Sequence, residues 1–237
     1  MISEKLFNRF YSDIKYNGTL IFYDWIRANI NKETLLLNLG AGPTALKKVY
    51  TFKGEVKKVT GADIDEEVLK NTDLDEAFII RDDKLPFSDN MFDCIISDYV
   101  LEHVEKPEMF LSEVYRVLKP GGSYFFRTPN KYHYVTLFSR LTPHWVHTAI
   151  ANKIRGLSEE AYEPYKTHYR MNTKGKLEKL SSKTGFNRSE FKMIEGEPMY
   201  LKFNIAPFLL GVAYERTVNR FNSLSFLRVN ILGRLSK

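Results

Sequence analysis

Five short runs constrain the fold more than anything else in the chain: "TLLLNL" (34–39), "VKKVTGAD" (56–63), "AFIIR" (77–81), "FDCIIS" (92–97) and "SYFFRT" (123–128). Each is apolar, β-branched or aromatic and of strand length, and helical stretches separate the first from the second and the fourth from the fifth. Strands that alternate with helices pair in parallel through right-handed crossovers, which predicts a doubly wound α/β sheet. Ligands of such a sheet lie beyond the carboxyl ends of its strands.

Around this core the pattern changes twice. Residues 4–30 place Leu6, Phe10, Ile14, Leu20, Ile21, Trp25 and Ile26 at helical spacing, with "YNG" at 16–18 as a break, so two helical pieces are expected. In "KPEMFLSEVYRVLKPGG", Pro107 fits a first helical turn and Phe110, Leu111, Val114, Val117 and Leu118 share one face; "KPGG" then ends the helix. After Asn130 the alternation lapses in a segment rich in Tyr, His and Trp that holds four of the five histidines. "NTKGKLEKLSSKTGF" reads as a capped helix stopped at Gly185, and "RSEFKMIE" with "PMYLKFNIA" as a strand pair. These shifts divide a single domain into a helical cap (1–33), a core (34–130), an insertion (131–171) and a C-terminal part (172–237).

Composition narrows the setting. A chain of 237 residues, 43% hydrophobic, can bury a full core in one elaborated domain. The lone Cys94 excludes an internal disulfide framework, the N-terminus lacks the apolar segment of a signal peptide, and no apolar run approaches the ~20 residues that span a bilayer. A soluble, cytoplasmic protein is expected. Residues 1–130 hold 17 Lys/Arg against 21 Asp/Glu, whereas residues 131–237 hold 18 against 8. The C-terminal part therefore either faces an anionic partner or carries a solvated lysine-rich surface.

"LLLNLGAGPTAL" joins the first strand to a helical pattern through Gly40 and Gly42, whose missing Cβ atoms let backbone N–H groups approach a ligand. Read as G-x-G-x-x-A it fits a dinucleotide fingerprint, and a plain glycine turn fits equally. Asp63, about twenty residues on at the end of the second strand, can accept both hydroxyls of a ribose, which suits NAD and other adenosine cofactors alike. Asp65 is better explained as the N-cap of "EEVLKN".

Taken together, "LLLNLGAGPT", "VTGADIDEEVL" and "RDDKLPFSDNMFDCIISDYVLEHVEKPEMFLSEVYRVLKPGG" resemble the successive motifs of class I S-adenosylmethionine-dependent methyltransferases of the small-molecule "type 11" group, over about residues 34–130. The resemblance implies a Rossmann-like, mostly parallel seven-stranded sheet with helices on both faces, and S-adenosylmethionine as cofactor. It places Asn38, Gly40, Ala41 and Gly42 at the methionine and ribose portion, Asp63 with the adjoining Ile64 at the ribose, Asp82 or Asp83 at the adenine, and Ser97 by its backbone near the methionine. His103 matches a recurrent family histidine of structural role. Asn38 stands where the family often has Asp or Glu, and Thr44 replaces the third glycine.

The resemblance further implies that an acceptor enters over the fourth and fifth strands, beneath the 131–171 insertion acting as a lid. Transfer to a hydroxyl calls for a base, and His is the side chain poised for that near neutral pH. His133 in "NKYHY" leads, flanked by Tyr132 and Tyr134 as walls; His168 in "THYR", with Tyr169 and Arg170, follows. His144 and His147 have no carboxylate or Cys nearby in sequence to complete a metal set, so no metal is expected. "APFLLGVAYERTVNRFNSLSFLRVNILGRLSK" is apolar and basic, as a peripheral membrane segment or a helix packed on the fold would be. The expected activity is methyl transfer to a small or medium-sized acceptor such as a glycan or lipid-linked sugar. An NAD-dependent oxidoreductase, an RNA methyltransferase and a non-catalytic cofactor-binding protein are the alternatives; no RNA-binding module is evident.

Overall fold

The computed structural model describes residues 2–13, 17–44, 48–141 and 165–237. Its strands are β1 (Leu35–Leu39), β2 (Lys58–Asp63), β3 (Glu76–Ile79), β4 (Phe92–Asp98), β5 (Leu118–Pro129), β6 (Arg188–Ile194) and β7 (Asn230–Ser236). They form one seven-stranded sheet in the order β3-β2-β1-β4-β5-β7-β6. The first five pair in parallel, and β7 lies antiparallel between β5 and β6. All five expected strands of the core are present, so the mostly parallel seven-stranded sheet is as expected.

Both faces of the sheet are buried, which is why "LLLNL" is a continuous apolar run rather than an alternating one. Leu37, Ile95, Tyr124 and Phe126 face helices α3 (Pro107–Val117) and α5 (Lys174–Thr184), meeting Leu111, Val114, Leu177 and Leu180. On the other face Leu36, Cys94, Ile96, Phe125 and Leu232 cluster with Phe22 and Ile26 of helix α2 (Gly18–Arg27). Burying a side chain such as Phe22, fully inaccessible here, stabilises by roughly 1.5–3 kcal/mol.

Local signals set most element ends. Ser3 caps α1 (Glu4–Tyr11), Asn17 caps α2, and Thr173 and Gly185, at φ 105°, bracket α5 as expected. Asp65 caps its helix too, although Glu66–Lys70 is a 3₁₀ turn rather than an α-helix. The β1–β2 connection likewise contains a 3₁₀ turn, Lys48–Tyr50. Leu118, expected on the face of α3, instead opens β5 and pairs with Phe92.

Two C-terminal expectations change. "PMYLKFNIA" is not a strand: it forms a 3₁₀ turn, Met199–Leu201, and opens helix α6 (Ile205–Arg220), capped by Asn204. The partner of β6 is β7, drawn from the segment expected as a basic apolar tail. That strand is internal to the sheet, with Ile231, Leu232 and Leu235 fully buried, and its basic residues are used within the fold. Arg228 donates to the carbonyls of Val218 and Met193, and Arg234 donates to Ser123 Oγ.

The link from β6 to β7 begins and ends at the carboxyl edge of β5, because Ile194, Asn230 and Pro129 share one register line. Helix α6 is therefore anchored at this edge, where α1 and α4 (Tyr134–Leu141) meet it. Tyr11 lies edge-on to Phe208 at 6.2 Å and Tyr134 edge-on to Tyr214 at 5.0 Å. The expected N-terminal cap thus divides: α1 joins α6, while α2 is a layer of the core. Among the described residues no helix is long and apolar enough to cross a membrane.

Candidate cofactor site

The carboxyl ends of β1 and β2 hold the glycine loop open. Gly40 has φ 82°, and a Cβ there would lie 2.2 Å from Val100 Cγ2, so only glycine fits. Its N–H donates to the Ala62 carbonyl at 2.7 Å. Gly42, at φ 54°, has nothing within 4 Å of a notional Cβ, which leaves its surroundings open for a ligand. Asp63 Oδ2 accepts from the Gly42 N–H at 2.8 Å and Oδ1 from the Asp65 N–H at 3.1 Å. A carboxylate has about four acceptor positions, so this half-buried group both shapes the loop and keeps capacity for hydroxyls.

A second set of bonds ties the loop from behind. Asn71 Nδ2 donates to the carbonyls of Gly42 (2.9 Å) and Ala41 (3.3 Å), and Thr44 Oγ1 accepts from the Thr72 N–H at 2.9 Å. Thr44 therefore does by hydrogen bonding what a third glycine would leave undone. Beside the loop opens a cavity of about 190 Å³ lined by Tyr23, Asn38, Gly40, Ala41, Pro43, Tyr50, Asn71, Asp73 and Asp98. Pockets that enclose a whole drug-sized ligand measure roughly 300–1,000 Å³, so this cavity is smaller than such a ligand; Ile64, beyond Asp63, is exposed.

The expected residues separate into groups. Asn38, Gly40 and Ala41 line the cavity, with Gly42 and Asp63 adjoining. Ser97 is fully buried, and the residue of β4 that reaches the cavity is its successor, Asp98. Asp82 (φ 55°) and Asp83 (φ 57°) form a two-residue turn closed by an Arg81–Lys84 bridge, and Asp83 is paired with Lys106 at 2.8 Å.

The residues expected on the acceptor side lie in two places, after β5 and against the β4–α3 connection. His168 and Tyr169 donate their backbone N–H groups to the Glu102 carbonyl, at 2.7 and 3.1 Å, and Arg170 donates to the Glu105 carbonyl at 2.7 Å. His103 Nδ1 lies 3.0 Å from the Lys166 carbonyl. Lys131 N–H donates to the Asn172 carbonyl, and the Asn172 side chain donates to Thr128 Oγ1 at 2.6 Å, which ties the end of β5 to the segment after Arg170. Thr128 in turn donates to the buried carboxyl of Glu102 at 3.0 Å; burial pushes that group up to about 7.

His133 departs from expectation. It is 1% exposed, its Nδ1 accepts from the Val135 N–H at 3.3 Å, and its Nε2 faces Glu195 Oε2 at 3.4 Å. Glu195 also accepts from the Val229 N–H at 2.7 Å, and the buried His133 Nε2, which has no hydrogen-bond partner among the described residues, is not exposed to a substrate. Tyr134 is half-buried against Tyr214 and pushed up to about 12 by burial, while Tyr132 is exposed. His144 and His147 lie outside the described residues.

Sequence reasoning missed Asp98, Tyr23, Tyr50, Asn71 and Asp73. For Asp98 a signal existed, since it is the polar residue that ends a parallel strand, where ligands are met. Tyr23 carried none: it sits in a helix remote in sequence, and reaches the site by donating its hydroxyl to Asp98 Oδ2 at 3.1 Å.

The antiparallel β7, inserted between β5 and β6, departs from the 3-2-1-4-5-6 order of dinucleotide-binding folds. Residues 37–126 match a family described as a methyltransferase domain. A ubiquinone/menaquinone biosynthesis C-methyltransferase of Escherichia fergusonii is 35% identical over 106 residues, covering 40% of this chain and 42% of the relative. The chain thus spans less than half the length of the curated relatives it matches. An S-adenosylmethionine-dependent methyltransferase of Thermotoga maritima superposes with a TM-score of 0.58 at 17% identity, over 98% of this chain and 92% of that one. Phosphoethanolamine N-methyltransferase 2 of Haemonchus contortus, solved with S-adenosylmethionine, gives 0.52 at 14% identity, over 93% of this chain and 52% of that one. Residues 37–126 thus match a methyltransferase domain, and the chain as a whole shares the fold of these solved structures.

Proposed function

We propose that this chain transfers the methyl group of S-adenosylmethionine to a hydroxyl of a small or medium-sized acceptor, of the glycan or lipid-linked sugar class. The observation that carries the transferase reading is the Gly40–Gly42 backbone, held at positive φ beside Asp63 at the carboxyl ends of β1 and β2. The cofactor supplies an electrophilic methyl on a sulfonium, which passes in line to the acceptor oxygen and leaves a thioether. The chain's own tasks are alignment and exclusion of water. Asn38, Gly40 and Ala41 receive the methionine end, Gly42, Asp63 and Ile64 the ribose side. Asp82 takes the adenine amino group, because Asp83 is engaged by Lys106.

A hydroxyl acceptor gives up its proton as the new C–O bond forms. His168 is the proposed base, since His133 is closed in by Glu195 and Val135. Tyr132, Tyr134, Tyr169 and Arg170 line the approach. Exposed apolar side chains of the 203–210 stretch, Phe203, Ile205 and Leu210, favour an amphipathic acceptor and peripheral membrane contact through the start of α6, whereas the last residues of the C-terminal segment are taken up by the sheet.

Calorimetry with S-adenosylmethionine, S-adenosylhomocysteine and NAD tests the cofactor: tight binding of the two sulfur ligands and none of NAD is expected, and failure of both sulfur ligands ends the proposal. Incubation with labelled methyl donor and glycan, lipid-linked or phenolic acceptors tests the rest. His168→Gln is expected to lower turnover by roughly 10²–10⁴-fold with cofactor affinity unchanged. Label recovered on carbon, the transfer named for the quinone-pathway relative, overturns the hydroxyl assignment.

A further inference from the structure

Exposed large apolar side chains concentrate in one stretch of the chain. Met199, Tyr200, Phe203, Ile205, Leu209 and Leu210 are between 42% and 72% exposed, and all fall between positions 199 and 210. Contiguous apolar surface of this kind marks a place where something docks. Helix α1 closes against the stretch and turns it into a groove. The Ile2 N–H donates to the Lys202 carbonyl at 2.9 Å, and Lys202 Nζ lies 3.5 Å from the centre of the Phe7 ring. Between these ties Ile2, Leu6, Phe203 and Ile205, with Ser3 and Asn204, line an open groove of about 420 Å³. Its two polar members are spent on capping: Ser3 Oγ accepts from the Leu6 N–H and Asn204 Oδ1 from the Ala206 N–H. What the groove offers a partner is therefore apolar.

The charges around the groove select that partner. Lys5 and Arg9, four apart on α1, and Arg220 at the end of α6 are exposed and make no ion pair among the described residues. Around α3, by contrast, Lys106, Arg116 and Lys183 are each paired with a carboxylate. Leu210, Ala213, Thr217 and Arg220 follow three-and-four spacing and share one exposed face, so the cation stands in line with the apolar start of its helix. The neighbouring acids offset little of this charge. Glu215 is buried and paired with Arg216, and the half-buried carboxyl of Glu197 is pushed up by burial. Glu4 lies in the first turn of α1, where the free N–H groups of that helix answer it.

We infer that this face, α1 with the start of α6, docks on an anionic lipid bilayer. The groove and Leu210 enter the boundary between headgroups and acyl chains, while Lys5, Arg9 and Arg220 meet the lipid phosphates. The inference rests on the membrane contact proposed above and goes beyond it by naming the face that docks and the sign of the surface it meets. Apolar side chains with basic neighbours are what an interfacial element requires. A second copy of the chain fits worse, because a two-fold contact sets the same patch against itself and opposes the unpaired cations to like charges.

The test mixes the full chain with sucrose-loaded vesicles of phosphatidylcholine alone, or of phosphatidylcholine and phosphatidylglycerol in equal parts, and reads the bound fraction by sedimentation. Binding to the charged vesicles is expected to be roughly tenfold stronger or more. It should weaken between about 0.1 M and about 1 M salt, as the screening length shortens from about 10 Å to about 3 Å. Lys5→Gln with Arg9→Gln is expected to lower binding to charged vesicles by roughly fivefold for each charge removed. Leu210→Gln is expected to lower it by roughly tenfold. All three side chains are exposed, so an unchanged melting temperature verifies the fold of each variant. Equal binding to the two vesicle types, or full binding by either variant, overturns the inference and leaves membrane contact standing. Binding to neither vesicle overturns the contact as well. Self-association without lipid that Leu210→Gln abolishes assigns the face to a second copy and overturns the inference. Calorimetry with S-adenosylhomocysteine on lipid-free protein judges the transferase reading separately.

Discussion

Arg127 holds Asp98 in a two-pronged ion pair, both N···O distances 2.6 Å, with the two side chains only 5% and 18% exposed. Such a pair is worth little over a well-packed apolar substitute, but removal of one partner strands a buried charge. Arg127→Met is expected to destabilise the fold by roughly 3–5 kcal/mol, read as a shift in the urea midpoint at unchanged slope. It also frees Thr19 of α2 and leaves Asp98 held by Tyr23 alone, so cofactor affinity falls with it.

Gly40 and Gly42 share positive φ but differ in their surroundings, and the difference ranks two substitutions. Ala at 40 meets Val100 Cγ2 at 2.2 Å, whereas Ala at 42 meets nothing. Gly42→Ala bears only the backbone penalty of about 1–2 kcal/mol. Gly40→Ala adds a clash that moves the loop, so S-adenosylhomocysteine binding is expected to drop further in it, by at least tenfold. Calorimetry on the two variants with matched thermal scans decides the order.

Gly233 tests the internal strand. A Cβ there lies 2.1 Å from Phe126 Cζ, inside the β5–β7 pairing. Overpacking of this kind costs about 1–3 kcal/mol. Gly233→Ala should lower the melting temperature, and Phe126→Leu in the same chain should recover part of the loss. A strand loosely attached at the sheet would show neither effect.

Burial raises the Glu102 carboxyl to about 7, against about 4.3 in an unfolded chain. The folded state therefore favours the protonated form. Its stabilising contribution is complete below about pH 4.3 and is lost as pH rises through about 7. Glu102→Gln keeps an acceptor for Thr128 and cannot ionise. Relative to wild type, the variant should gain stability between pH 5 and pH 8, by on the order of 3 kcal/mol, in denaturation at the two values. Glu215 is also raised by burial, and its share cancels because both proteins carry it.

Much of the core was legible because the signals are local. Alternating strand and helix patterns fixed β1 to β5, Pro107 and Gly185 marked helix ends, and Gly40, Gly42 and Asp63 marked the loop. "PMYLKFNIA" misled because its apolar spacing suits strand and helix alike over so few residues, and the Asn204 cap decided for helix. His133 misled for another reason: a histidine after a parallel strand looks available until its neighbours are known, and here Glu195 arrives from the link after β6, some sixty residues later.

By itself the sequence determined a two-sided α/β core, its glycine loop and the carboxylate beside it, since turn chemistry, capping and periodicity act over a few residues. Only the tertiary structure decided that the last strand enters the sheet between β5 and β6, that Asp98 rather than Ser97 lines the cavity, and that Tyr23 and Arg127 hold it. Those outcomes depend on contacts between segments far apart in the chain, such as Arg127 with Thr19 and Phe126 with Gly233. Their energies come from burial and from satisfying charges once the layers have closed, and no window of neighbouring residues contains both partners.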